Sequence, residues 1–325
     1  MWPLCIALER WKLCHSSNDC SGISSIVIMP GPMSSSTLSK VLVQWLQQLA
    51  TPFRPLSRNI RREVCLYLST RFLVPAVKNS TLRVYDLDHR TVTEGQLTRT
   101  ITTASVPVMI NYEVVMYVGG HPPYTSDVCS VNIVTFQVTV LRHMLEARGW
   151  AGVIKYTEFV YVFGGNNPQL ASAEKYDIER KRWIWVPGMR HARYSFTPAL
   201  YKKEIYLADC MINPKVIEVF NPYSETYREL EVVLPQYGTH SLSFVLDSEF
   251  YLISYTFQGG KLPLEPQPTA FLDISLTHIN KAMGYLGSPP LILEKMVYFA
   301  HYTEGILTVY DVERQTLSTI DEFSP

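Results

Sequence analysis

A beat of about 45 residues limits what this chain can fold into more than any other feature. The phrase Val160-Tyr161-Val162-Phe163-Gly164-Gly165 has a close relative at Val115-Met116-Tyr117-Val118-Gly119-Gly120. Fainter copies stand at Ile205-Tyr206-Leu207-Ala208, Phe250-Tyr251-Leu252-Ile253 and Val297-Tyr298-Phe299-Ala300, and one precedes them at Arg71-Phe72-Leu73-Val74. Counted from Phe72 through Met116, Tyr161, Tyr206, Tyr251 and Tyr298, the steps are 44, 45, 45, 45 and 47 residues. Self-similarity at such a period marks a repeat architecture, and it governs every later reading.

Two further landmarks keep the same time. Tyr85-Asp86, Val131-Asn132, Tyr176-Asp177, Phe220-Asn221, Leu272-Asp273 and Tyr310-Asp311 each set an apolar residue before Asp or Asn. Seven residues beyond the apolar member lies another apolar one: Val92, Val138, Trp183, Tyr227, Ile279 and Leu317. An Asp or Asn side chain can bond nearby backbone groups and suits a hairpin turn, so the flanking residues become the ends of two paired strands. The third landmark is a short triplet before each anchor: Val64-Cys65-Leu66, Val108-Met109-Ile110, Val153-Ile154-Lys155, Pro198-Ala199-Leu200, Ser243-Phe244-Val245 and Pro290-Leu291-Ile292. Four short strands per unit predict an all-β, six-bladed β-propeller over residues 63–325, with four antiparallel strands per blade. A single blade cannot bury both faces of its sheet, so stacking neighbours into a ring is what stabilises it.

The third unit carries Gly164-Gly165, Tyr176-Asp177, Trp183, Pro187, Met189, Arg193 and Ile205-Tyr206, in that order. It resembles a kelch repeat, whose pattern is diglycine, Tyr-Asp, Trp, Leu-Pro-x-Met, Arg and hydrophobic-Tyr. The resemblance covers about 260 residues and is strongest in units two and three. Elsewhere the diglycine site holds Pro75-Ala76, Asp209-Cys210, Ser254-Tyr255 and His301-Tyr302. No Trp-Asp dipeptide points to a WD ring. Unit five is longer than the rest, and its Gly- and Pro-rich stretch from Gln258 to Pro268 is expected to project as a loop. The ring is expected to run through six consecutive units. Residues 57–68 read either as the inner strand of the first blade or as a helix with Ile60, Val64 and Leu68 on one face.

The N-terminal stretch is different in kind. Residues 1–40 read as a disordered leader, and 1–32 as an extension of little structural value, with Met33 followed by Ser34-Ser35-Ser36-Thr37. Residues 41–62 read as a short amphipathic helix and linker. Leu42, Trp45, Leu46 and Leu49 form a helical stripe, Pro52 ends it, and Arg54, Arg58, Arg61 and Arg62 follow as a solvated connector.

Composition narrows the function. Lys plus Arg and Asp plus Glu are both 29, so the chain lacks the cationic surplus that a nucleic-acid partner demands. Glu9, Arg10 and Lys12 interrupt any apolar signal segment, and no stretch is apolar enough to cross a bilayer. Six cysteines without a CxxC pair make a poor disulfide framework, and a cytoplasmic location is expected. Motifs for a nucleophile elbow, a phosphate-binding loop, a dinucleotide site and a zinc protease are all missing. Neither a cofactor nor a metal is therefore expected, nor catalysis.

What remains is binding by shape. Propeller loops that leave the second strand and enter the first share one rim, and here they carry His121, Pro122, Tyr124, Trp150, Asn166, Asn167, Arg190, His191, Arg193, Tyr237, His240, Tyr285 and Tyr302. Aromatic and Arg side chains dominate interface hot spots. The expectation is a non-catalytic module that binds a protein or peptide partner through this face, with Trp150 and Arg193 also readable as packing residues of the repeat. The kelch resemblance adds two alternatives. One is a substrate-recognition adaptor of a ubiquitin ligase, since the stretch from Pro55 to Phe72 looks like the tail of an F-box. The other is a kelch-shaped oxidase or lyase.

Overall fold

A computed structural model of the chain describes residues 73–78, 80–87, 90–111, 113–208, 216–234, 241–254, 258–265, 270–274, 277–278, 289–300 and 307–320. All of them belong to one compact unit spanning Arg71–Pro325. The regular elements among the described residues are strands throughout.

The first sheet holds β1 (Leu73–Lys78), β2 (Thr81–Asp86) and β3 (Thr91–Gln96). The second holds β4 (Val106–Asn111), β5 (Val114–Val118), β6 (Val128–Asn132) and β7 (Val138–Val140). In the third are β8 (Gly152–Tyr156), β9 (Phe159–Phe163), β10 (Ala173–Asp177) and β11 (Arg182–Val186). The fourth contains β12 (Ala199–Tyr201), β13 (Glu204–Leu207), β14 (Val216–Asn221) and β15 (Thr226–Val233). The fifth contains β16 (Ser241–Leu246), β17 (Glu249–Ser254), β18 (Gly259–Pro263) and β19 (Leu272–Ile274). After β20 (Thr277–His278), the last sheet is built from β21 (Leu291–Leu293), β22 (Met296–Ala300), β23 (Leu307–Asp311) and β24 (Thr316–Ile320). Within every sheet the consecutive strands pair as antiparallel neighbours, and β20 adds a parallel rung outside β24.

Strand alternation explains why the sheets stack. In β9, Val160 and Val162 face the second sheet, where they meet Met116, Val118 and Val106. Tyr161 and Phe163 point the other way, onto Ile205, Leu207 and Phe220 of the fourth. Side chains alternate faces with a period of two, so a strand apolar at every position is buried on both sides. The same arrangement joins Leu82 and Val84 to Val115 and Tyr117, Tyr206 and Val219 to Phe250 and Leu252, and Phe244 and Tyr251 to Val297 and Phe299. A sixth cluster decides the topology: Tyr85 of the first sheet is buried with Leu307 of the last, and β1 lies against β22. The sheets close on themselves. The chain is a β-propeller.

The blade count differs from the expectation. Five blades have four antiparallel strands, not six; the first sheet shows three. The strand expected at Val64-Cys65-Leu66 lies outside the described residues, as do the leader, the helix over 41–62 and the F-box-like stretch to Phe72. The beat also slipped in unit one. Val74 stands opposite Tyr85 as Val160 stands opposite Tyr176, so the strand centres on Pro75 and not on Phe72.

Unit five needs a second correction. Gly259–Pro263 is strand β18, paired with β17 through Phe250↔Leu262, and is no projecting loop. Leu272, read as the third-strand landmark, lies in outer strand β19 opposite Lys261. The other five landmark pairs stand face to face: Tyr85↔Val92, Val131↔Val138, Tyr176↔Trp183, Phe220↔Tyr227 and Tyr310↔Leu317.

Candidate partner-binding face

The turns sort the loops into two ends of the ring. First-to-second-strand turns and third-to-fourth-strand turns share one end. At the third-to-fourth turns, Asn132 Oδ1 accepts from the amides of Val134 and Thr135, and Asn221 Oδ1 from those of Tyr223 and Ser224. Asp177 and Asp311 do the same for Arg180 and for Glu313 and Arg314. Each such turn then passes through one left-handed residue: Arg90, Phe136, Lys181, Glu225 or Gln315. At the other end run the longer loops after the second strands and the connectors between blades, and the described candidate residues lie there.

A buried arginine fixes each of two connectors. Arg148 and Arg193 are wholly buried. The carbonyl of Arg148 accepts from Gly120 N (3.0 Å) of the preceding blade. Its Nη1 donates to the carbonyls of Gly164 (2.6 Å) and Ser172 (3.1 Å), and its Nη2 to Glu174 (3.0 Å) and Glu146 (3.0 Å). Arg193 repeats the plan one blade on. Its carbonyl accepts from Gly165 N (2.8 Å), and its Nη2 donates to Val216 O (2.9 Å) and Glu218 (3.3 Å). Burial pushes the Glu174 carboxyl up and the Arg148 guanidinium down, each opposed by the charge of the other. The diglycines serve these connectors. Gly119 and Gly164 have φ of 70° and 59°, and a Cβ on either would overlap the carbonyl oxygen of Arg148 or Arg193. The crowding that demands glycine comes from the neighbouring connector.

Beside these staples stand three aromatic rings. His121 and Tyr124 come from the loop after β5, and Trp150 from the connector into β8. The His121 ring lies 4.5 Å from that of Tyr124 and 5.1 Å from that of Trp150, and the Tyr124 and Trp150 centroids are 6.0 Å apart. All three are partly exposed. The Nδ1 of His121 is buried without a hydrogen-bond partner, and the His121-Pro122 and Pro122-Pro123 bonds are cis. Trp150 has φ of 53°, which is uncommon for a bulky residue. Its counterparts in the flanking connectors, Ala104 and Ser195, share that conformation with much smaller side chains. Trp150 N donates to Ala104 O (3.1 Å), and Ser195 N to Trp150 O (2.7 Å).

The remaining predicted residues divide. Asn166 exchanges backbone hydrogen bonds with Gly149, and Asn167 Nδ2 donates to Ala147 O (2.9 Å), so both brace the connector that carries Trp150. Arg190 and His191 sit further out, each 3.3 Å from Glu229 Oε1. Arg193 leaves the face altogether, because its side chain is wholly buried inside the seam. Tyr237, His240, Tyr285 and Tyr302 lie outside the described residues. Arg148, Glu174 and Glu218 were missed as functional parts, although the two arginines are 45 residues apart and the two glutamates 44. A charged pair keeping the beat of an apolar repeat was the available signal.

No group of three or more His, Cys, Asp or Glu side chains among the described residues is placed to hold a metal. No helix among them is long and apolar enough to cross a membrane. No family model matches the chain, and no curated protein matches it.

Proposed function

We propose that the protein is a non-catalytic interaction module that takes a protein or peptide partner on the rim carrying His121, Tyr124 and Trp150. The observation that carries this reading is the choice of residue at position 150. The ring needs a left-handed backbone there, and Ala104 and Ser195 supply it with small side chains. A tryptophan adds nothing to that backbone requirement, yet it is kept at a strained φ and gathered with two rings from another loop. Strain of this kind collects at functional sites, and rigid aromatics bury much area at little entropic cost. A propeller is commonly an interaction scaffold, which supports the class of function; the partner is defined by the rim alone.

The test uses a photo-crosslinking residue at exposed Pro122 in the native cell. A discrete adduct is expected, lost in Trp150→Ser and Tyr124→Ala, while both variants keep a thermal transition close to that of the wild type. An adduct that survives both substitutions would move the partner elsewhere.

A further inference from the structure

The outer edges of the blades are open pairing templates, and proteins normally blunt them with charge, bulges, short strands or a covering segment. All but one of the described outer strands here follow that rule. β24 is covered by β20. β7 and β19 have three residues each. β3 is polar and carries Glu94 and Gly95. β15 bears Arg228, Glu229 and Glu231 and pairs with β14 across a register shift. β11 departs from it: past Arg182 its centre is Trp183-Ile184-Trp185, its pairing with β10 is regular, and none of the described residues pairs with its far edge.

Its surroundings differ from those of the next blade as well. In the seam between the third and fourth blades, Arg190 bonds Glu229. Their counterparts one blade earlier are Leu145 and Trp185. Leu145 N donates to Glu174, as Arg190 N donates to Glu218, while Trp185 faces Glu174 across the strand pair as Glu229 faces Glu218. An ion pair on one seam is thus an apolar pair on the other, and it stays about half exposed: Leu145 at 45% and Trp185 at 50%. Three cations edge this patch: exposed Lys181 just before β11, exposed Arg182 at its first position, and exposed Arg142 beside it, whose carbonyl accepts from Trp183 Nε1. In the same turn Arg180 is paired with Asp177, and Glu179 is the one exposed carboxylate.

We propose that the free edge of β11, flanked by Trp185 and Leu145, accepts an extended acidic segment of another protein as an added strand. Backbone pairing supplies the register and the tryptophan supplies an anchor. Charge selects the occupant. A second copy of β11 would bring the same cations and no carboxylate on the strand itself, whereas an acidic segment meets Arg142, Lys181 and Arg182 with complementary charge. This edge is separate from the His121–Tyr124–Trp150 rim, and neither reading depends on the other.

The experiment selects short random peptides displayed on phage against the purified full chain. The expected winners carry acidic residues around an aliphatic one. They should lose roughly tenfold or more in affinity with Trp185→Ala, the scale of a tryptophan anchor, and also with the surface change Arg182→Glu. Bound peptide should slow amide exchange within residues 182–186. Three results would each overturn the proposal: no enriched acidic family, peptides indifferent to both substitutions, or a homodimer in sedimentation that Trp185→Ala dissolves.

Discussion

The Arg148 side chain ties three stretches of chain together, around Glu146, Gly164 and Ser172–Glu174, and that of Arg193 holds the strand end at Val216 and Glu218; each arginine is matched by a carboxylate buried equally deeply. Removing one partner strands the other charge, which costs about 3–5 kcal/mol, whereas removing both can be close to neutral. Arg148→Met should therefore destabilise the protein by about that amount in urea titrations, and Arg148→Met with Glu174→Met should recover most of the loss. Cys129 occupies the corresponding place in the second blade. Burial pushes its thiol to about 11, so little thiolate exists near neutrality. Alkylation of Cys129 in native protein by iodoacetamide, followed by peptide mass spectrometry, should be far slower than in the unfolded chain, and should accelerate only as pH approaches that value. At this scale the sequence disclosed residue types better than their roles. Arg193 was visible as part of the repeat, but exposure cannot be read from a pattern, and its fully buried guanidinium removes it from the rim.

The third-to-fourth-strand turn is the element the sequence revealed best. An apolar residue, then Asp or Asn, then an apolar residue at a fixed distance describes a hairpin in which the outer two must face each other, and five such pairs do. Turn length sets register, so spacing alone carried the information. Unit five misled because Leu262-Pro263 lacks the Asp or Asn that marks the turn, while Leu272-Asp273 imitates it further on. Asp177 offers a test of the turn. Hydrogen bonds from the Arg180 amide first, and then the Arg180 side chain, hold its carboxyl below the usual value of 3.8. A depressed folded value gives stability that is present above the unfolded value and lost as pH falls through the folded one. Asp177→Asn keeps the backbone bonds, as Asn132 and Asn221 show, but forfeits the charge. Wild type should be the more stable at pH 7, and the difference should vanish in acid, as urea titrations at both pH values would read.

Closure is a property of the whole ring, and the repeat alone did not settle it. The beat implied a circle, yet it could not say which surfaces meet at the join; that information lies in Tyr85 and Leu307, more than 200 residues apart. Because each blade's two faces are buried only by its neighbours, no seam is dispensable. Tyr85→Ala should cost about 3–5 kcal/mol, as for other large buried aromatics, and should lower the midpoint of one cooperative transition without splitting it. Truncation after residue 288 should leave the surfaces around Phe244 and Tyr85 bare, and the product should be insoluble when expressed.

The rungs from Ala104 to Trp150 and from Trp150 to Ser195 run from connector to connector, not along the strands. They tie three successive connectors into one arc: spreading those blades apart at this end would have to stretch both amide contacts at once, while parting them at the opposite, hairpin end would spare them. Deformation under load should begin at the hairpin end, leaving the spacing of the arc nearly constant.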